Sequence, residues 1–351
     1  MPIVSDACTR NIPVILLHCS NHDLVNDISS FLPSSRLLSF SSKAISYNPF
    51  RGLSLNEACQ LLYSSIPQSY GVKSIGRDFI RVMMNILLKQ GLEVDFQRLI
   101  TCPHNDLLPV IDRKANGNFI VKADAVNLKA DLIASQSESR TISHYLQDLG
   151  CQISHITNCS QRDALSSSIT EGILKRQVVL INIGANTNNL LVDLLVNQLK
   201  SIFSNGGKFM IILDEIDLNL NKELLSITIH NSSCRFVLSY DDVYSALNSD
   251  EKSFTSTLGS VQKTVIHAHP SPMSCIQWSK YLGEYEKQEP EYSHNQTLQG
   301  GAMMGKSSGN SMRIVKKREA RVLPEMINQL NGCEACIYDS NSKAILVGEI
   351  S

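Results

Sequence analysis

The heptapeptide Phe209-Met210-Ile211-Ile212-Leu213-Asp214-Glu215 sets two carboxylates at the end of an apolar run. In phosphoryl transfer, an Asp at such a strand tip holds the water shell of Mg2+, and a following Glu polarises the attacking water. Asp214 and Glu215 are therefore the candidate catalytic pair. Asp214 is the candidate Mg2+ contact through water, and ATP is the nucleotide this chemistry would serve. The bland alternative is any buried strand that ends in acidic residues.

A second stretch, Gly300-Gly301-Ala302-Met303-Met304-Gly305-Lys306-Ser307, matches the phosphate-loop pattern letter for letter, with Lys306 and Ser307 as its nucleotide-binding residues. A working phosphate loop follows a buried strand and opens a helix, so that backbone N–H groups face the phosphates. Here the preceding residues, Tyr292 to Gln299, are polar, and Ser308-Gly309-Asn310 opposes a helix. The match also follows the acidic strand instead of preceding it. The expectation is a Gly/Ser-rich loop, a decoy.

Other clusters are weaker. Arg313, Lys316, Lys317, Arg318 and Arg321 form a basic run that could meet nucleic-acid phosphates. Ile314, Val315 and Val322 around it suggest a strand or edge, and no aromatic residues interleave for base stacking. His18, His22 and Asp23 lie together after the first strand without a partner cluster at metal-ligand spacing. His267 and His269 alternate along an apparent strand, and no metal is assigned to them either. Cys333 and Cys336 form the sole CxxC pair of ten cysteines, and a zinc ribbon needs two. Reduced, partly buried thiols are expected, in a reducing compartment.

The elements that position the acidic pair read as α/β. Ile12 to Leu17 is a short apolar strand, followed by a polar turn and a helix from Leu24 to Phe31; Arg36 to Phe40 is a weaker strand. Tyr47-Asn48-Pro49-Phe50 breaks the pattern. From Ser54 to about Ser166 apolar residues recur at helical spacing, as in Phe79, Val82, Met83, Ile86 and Leu87 before Gly91. Val178 to Ile183, Phe209 to Leu213, Arg235 to Ser239 and Thr264 to His267 then read as strands of a mainly parallel, helix-covered sheet. Gln288 to Asn310 is expected to be a flexible loop, and two strands, Ala335 to Tyr338 and Ala344 to Val347, end the chain.

The 351 residues carry a formal net charge of −1 and are 43% hydrophobic, enough for one large domain or two moderate ones. That balance points neither to a nucleic-acid-coating protein nor to a membrane-surface binder. No basic-then-apolar leader opens the sequence, and no run approaches the roughly 20 apolar residues of a membrane helix. A cytoplasmic location is expected, with membrane association only through a partner.

The order of these elements resembles the type IV secretion coupling ATPases of the TraG/TraD kind, and more broadly the FtsK/HerA motors. His22-Asp23-Leu24 resembles the turn after their second strand, Asn48-Pro49 an Asn-Pro that closes that section, and Phe209 to Glu215 their Walker B strand. Trp278, Leu282-Gly283 and Leu323-Pro324-Glu325-Met326 resemble later sections. The resemblance implies a RecA-like P-loop core, formed by residues 1–53 and 167–351 with C-terminal strands, around an all-helical insert at residues 54–166. It departs from the family in two places. No Gly-rich loop precedes residue 12, and Ser239-Tyr240-Asp241-Asp242 stands where a γ-phosphate-sensing Gln is usual.

Two functions follow as expectations. One is a degenerate or partial motor subunit of a conjugative DNA-transfer or secretion complex. It would pack with other motor or secretion-complex subunits in a homo- or hetero-oligomer, with DNA as a further partner and Arg77, Arg140 or Arg235 as residues lent to a neighbour. The other is an active ATPase driving DNA or protein translocation. A thiol or metal enzyme built on Cys333/Cys336 or His18/His22 ranks below both.

Overall fold

The computed structural model describes residues 2–19, 24–40, 45–102, 106–157, 165–184, 189–204, 208–216, 226, 234–298 and 306–349. They fall into two compact units, Met1–Asp241 and Asp242–Ser351.

The first unit opens with α1 (Pro2–Thr9), β1 (Val14–His18), α2 (Leu24–Ser29), β2 (Leu37–Ser39) and β3 (Ile45–Tyr47). Six helices follow: α3 (Leu55–Ser64), α4 (Gly76–Lys89), α5 (Phe96–Thr101), α6 (Leu107–Asn116), α7 (Lys122–Ser135) and α8 (Ser139–Thr157). The chain then returns through β4 (Leu165–Ser167), α9 (Ile169–Leu174), β5 (Val178–Asn182), α10 (Asn189–Ser204), β6 (Phe209–Asp214) and β7 (Cys234–Ser239). Local chemistry sets the helix ends. Ser54 and Glu57 exchange hydrogen bonds as a capping box at the start of α3. Gly91, at φ 69°, follows α4 where a side chain would be strained.

Five strands form one parallel sheet in the order β2-β5-β1-β6-β7. Strands buried on both faces are near-continuous apolar runs, and β1, β5 and β6 are such runs. Their alternate residues divide between two cores. Val14, Leu16, Val178, Leu180, Met210 and Ile212 pack with Val4 and Ala7 of α1 and Ile28 of α2. Ile15, Leu17, Val179, Ile181, Ile211 and Leu213 face the other way, onto Leu191, Leu194, Leu195 and Leu199 of α10. That second core continues without a break into α3, α4 and α8, where Leu62, Phe79, Met83, Tyr145 and Leu149 are fully buried. A helix-covered parallel α/β core is what the strand pattern predicts.

The second unit contains α11 (Val243–Ala246), α12 (Glu251–Gly259), β8 (Lys263–Ile266), α13 (Pro272–Leu282), β9 (Glu284–Leu298), β10 (Lys306–Ala320), α14 (Pro324–Asn328), β11 (Glu334–Asp339) and β12 (Ala344–Glu349). Two sequence expectations fail here. The strand at Thr264–His267 does not join the parallel sheet; β8 pairs antiparallel with β11, in a three-stranded sheet of order β12-β11-β8. Nor do Gln288–Leu298 and Lys306–Asn310 form a loop, since they lie in β9 and β10, which make an antiparallel ribbon of fifteen residue pairs. The core of this unit is aromatic. Phe254 meets Tyr244, Trp278 and Tyr281, and Tyr281 meets Tyr338.

Candidate functional site

Four residues stand in a row across the carboxyl ends of the parallel strands. His18 is in register with Asn182 on one side and Asp214 on the other, and Asp214 is in register with Ser239. Backbone hydrogen bonds continue the ladder past the strand ends: Ile183 N–H donates to His18 O at 2.8 Å, Cys19 N–H to Asp214 O at 3.3 Å, and Glu215 N–H to Ser239 O at 3.0 Å. His18 is buried, Asp214 half-buried and Glu215 exposed.

The topology makes this edge a crevice. The chain leaves β1 through α2, passes β5 and enters β2; it leaves β5 through α10, passes β1 and enters β6. Because α2 and α10 cover opposite faces of the sheet, adjacent strands send their connections apart. In open α/β sheets that switch point is where ligands bind. Asp214 and Glu215 end β6, the strand next to that point, on the other side of β1. Glu215 has a left-handed backbone, φ 56°, which costs a non-glycine residue free energy and is frequent at functional sites.

The surroundings of that acidic tip are less suited to phosphate. Both neighbours of β6 are occupied, by β1 and β7. The turn after β1, Cys19-Ser20-Asn21-His22-Asp23, contains neither Gly nor Lys, and β7 runs into Tyr240-Asp241-Asp242. One strand further, the β5–α10 turn has a single glycine and no lysine. There Gly184 N–H donates to Asn182 Oδ1 at 2.7 Å, and Leu190 N–H, in the first turn of α10, donates to Gln152 Oε1 at 3.1 Å. Donors that would face a phosphate are thereby used within the protein. His155 of α8 also reaches this edge, its Nε2 lying 2.8 Å from Asn182 O. No sequence signal marked His155 or Gln152, which look like ordinary polar residues on an amphipathic helix.

The remaining candidates lie elsewhere. Lys306 and Ser307 begin β10, paired with Leu298 and Thr297 of β9. They open a strand where a phosphate loop opens a helix. Residues 300–305 lie outside the described residues, as do His22 and Asp23. No group of three or more His, Cys, Asp or Glu side chains arranged to hold a metal occurs among the described residues. The basic run falls on β10 and Arg321, and its two lysines meet glutamates of β9, Lys316–Glu286 and Lys317–Glu289, both 3.2 Å. Arg235 is exposed on β7, and Arg77 is exposed on α4. Arg140 lines an open groove of about 700 Å³ on α8, with Ser69, Tyr70, Thr141, Ser143 and His144. Cys333 is exposed and Cys336 buried, both as free thiols.

His267 and His269 do not share a strand face, because β8 ends at Ile266. His269 is instead a buried structural group, its Nε2 accepting from Trp278 Nε1–H at 3.1 Å and its carbonyl accepting from Asn328 Nδ2 at 2.7 Å.

No protein-family profile and no curated protein matches the chain. Among solved structures it is similar to the bacterial conjugative coupling protein TrwBdeltaN70 in its unbound monoclinic form, at 14% identity and TM-score 0.47, over 97% of this chain and 85% of that one. It is also similar to the plasmid coupling protein TrwB in complex with ADP and Mg2+, at 13% identity and TM-score 0.46, over 100% of this chain and 86% of that one. The parallel sheet itself, covered by α1 and α2 on one face and α10 on the other, is an α/β fold.

Proposed function

We propose that the chain is a degenerate motor subunit, with the α/β core of a nucleotide-driven transfer motor but without nucleotide turnover of its own. It acts inside a conjugation or type IV secretion-type complex, packed against other motor or secretion-complex subunits that handle DNA or protein cargo. One observation carries the reading. The acidic tip Asp214-Glu215 ends the strand next to the β5–β1 switch point, yet the sequence after β1 has no glycine or lysine and that after β5 has one glycine and no lysine, short of the pattern that holds a phosphate.

Asp214 is the group that would contact Mg2+ through water if nucleotide were supplied, and Glu215 the group that would orient the attacking water. Phosphate binding would then have to come from another subunit. Turnover assays of the full chain with Mg-ATP, beside Glu215→Gln, test this. The expected result is no hydrolysis above buffer in either protein. Hydrolysis that Glu215→Gln abolishes would instead establish an active ATPase, and Lys306→Ala would then show whether the Gly300 segment contributes.

A further inference from the structure

The described side chains of the β9–β10 ribbon form no core. Of the side chains described on it, from Glu284 to Tyr292 and from Ser311 to Ala320, none is buried. An isolated two-stranded ribbon is only marginally stable in water, so fifteen pairs without a covering layer form an incomplete sheet. Its sheet contains only these two strands, so both outer edges are unpaired among the described residues.

Charge divides between those edges. β9 carries four glutamates, Glu284, Glu286, Glu289 and Glu291, against Lys287, a net −3. β10 carries Lys306, Arg313, Lys316, Lys317 and Arg318 against Glu319, a net +4. Ion pairs inside the ribbon join Lys316 to Glu286, Lys317 to Glu289, and Lys287 to both Glu289 and Glu319. Glu284 and Glu291 on β9, and Arg313 and Arg318 on β10, have no ion-pair partner among the described residues.

We propose that the ribbon is a self-assembly arm, in which the acidic outer edge of β9 takes the basic β10 edge of a second copy of this chain. Lysines and glutamates on an open edge ordinarily keep strands from adding to one another. Here the division by sign makes that protection selective. Joining β9 to β9, or β10 to β10, opposes like charges, whereas joining β9 to a second β10 opposes unlike ones. If the incoming β10 repeats the register of the inner edge, its Arg313 falls opposite Glu291 and its Arg318 opposite Glu286. Pro290 removes one backbone donor from β9, and the other residues keep theirs. The contact is heterologous, so it adds copies in one direction instead of closing a two-fold pair.

Sedimentation velocity of the full chain across the micromolar range tests the arm. The parent is expected to associate as concentration rises and to dissociate in high salt. Arg313→Glu/Arg318→Glu brings the β10 edge from net +4 to zero, and Glu284→Lys/Glu291→Lys brings the β9 edge from net −3 to +1. Each variant alone should associate about tenfold or more weakly. An equal mixture of the two should recover association as pairs, because the first keeps an acidic β9 edge and the second a basic β10 edge. A parent that stays monomeric, variants that associate as strongly as the parent, or a mixture that stays apart would each overturn the proposal. So would a monomeric parent that binds a DNA oligonucleotide through Arg313 and Arg318, which would make the ribbon a nucleic-acid arm.

Discussion

Protonation of His269 should destabilise the folded chain, and Trp278, the one tryptophan in the sequence, should report it. Trp278 Nε1 can only donate, so His269 Nε2, 3.1 Å away, must be the unprotonated nitrogen. His269 Nδ1 is buried without a hydrogen-bond partner. A proton on Nε2 would set two donors face to face in a site only 6% exposed. Burial pushes the imidazole below its ordinary value, His267 pushes the same way, and the Asp242 carboxylate opposes them. The sign follows from linkage. In the unfolded chain the histidine takes its proton near its ordinary pKa, about 6.5. In the folded chain it does so only at lower pH. Stability is therefore greatest above pH ~6.5 and falls as pH drops toward the folded-state value, by about 1.4 kcal/mol per pH unit, levelling off below it. Urea unfolding followed by tryptophan fluorescence at about pH 7.5 and about pH 5.5 measures this. Parent chain should lose more stability on acidification than His269→Gln, whose amide oxygen can accept from Trp278 without titrating. An equal acid dependence in the two proteins would refute the reasoning.

Packing and reactivity give further expectations. A Cβ at Gly172 would lie 2.4 Å from Val179 Cγ2 and 3.0 Å from Leu38 Cδ2, so Gly172→Ala should cost roughly 1–3 kcal/mol by overpacking α9 on the sheet, read as a lower urea midpoint. Arg51 donates to Glu171 Oε1 at 3.0 Å and also to Ser166, in a cluster with Glu93. Arg51→Ala should lower stability by roughly 1–2 kcal/mol, discounted for an arginine more than a third exposed. Thiol labelling followed by mass spectrometry should modify Cys151 and Cys333, which are exposed, ahead of Cys59 and Cys234. Burial pushes the latter two thiols up to about 11 and about 12.

The parallel core was legible because strands buried on both faces cannot avoid being apolar runs, as Val178–Ile181 and Phe209–Leu213 are. The acidic tip was legible for the same reason, as the first polar residues after such a run. Pairing partners were not. Lys263–Ile266 has the composition of any short strand, and its place beside β11 depends on residues seventy positions away. The ribbon was missed because neither of its strands alternates apolar with polar residues. Its signal lies across the strands, in pairs such as Lys316 with Glu286, which a reading along the chain does not register. His267 and His269 alternate as if on one strand, whereas β8 ends at Ile266 and only the fold shows His269 Nε2 accepting from Trp278. The roles of Gln152 and His155 at the sheet edge likewise depend on where α8 docks.

On the function proposed above, the chain binds no nucleotide by itself. Calorimetric titration of the full chain with Mg-ATP, beside Asp214→Asn and Lys306→Ala, tests it most directly. No saturable heat is expected from any of the three proteins. Stoichiometric binding to the parent chain, weakened by Asp214→Asn, would contradict it, and weakening by Lys306→Ala as well would identify the Gly300 segment as the phosphate site.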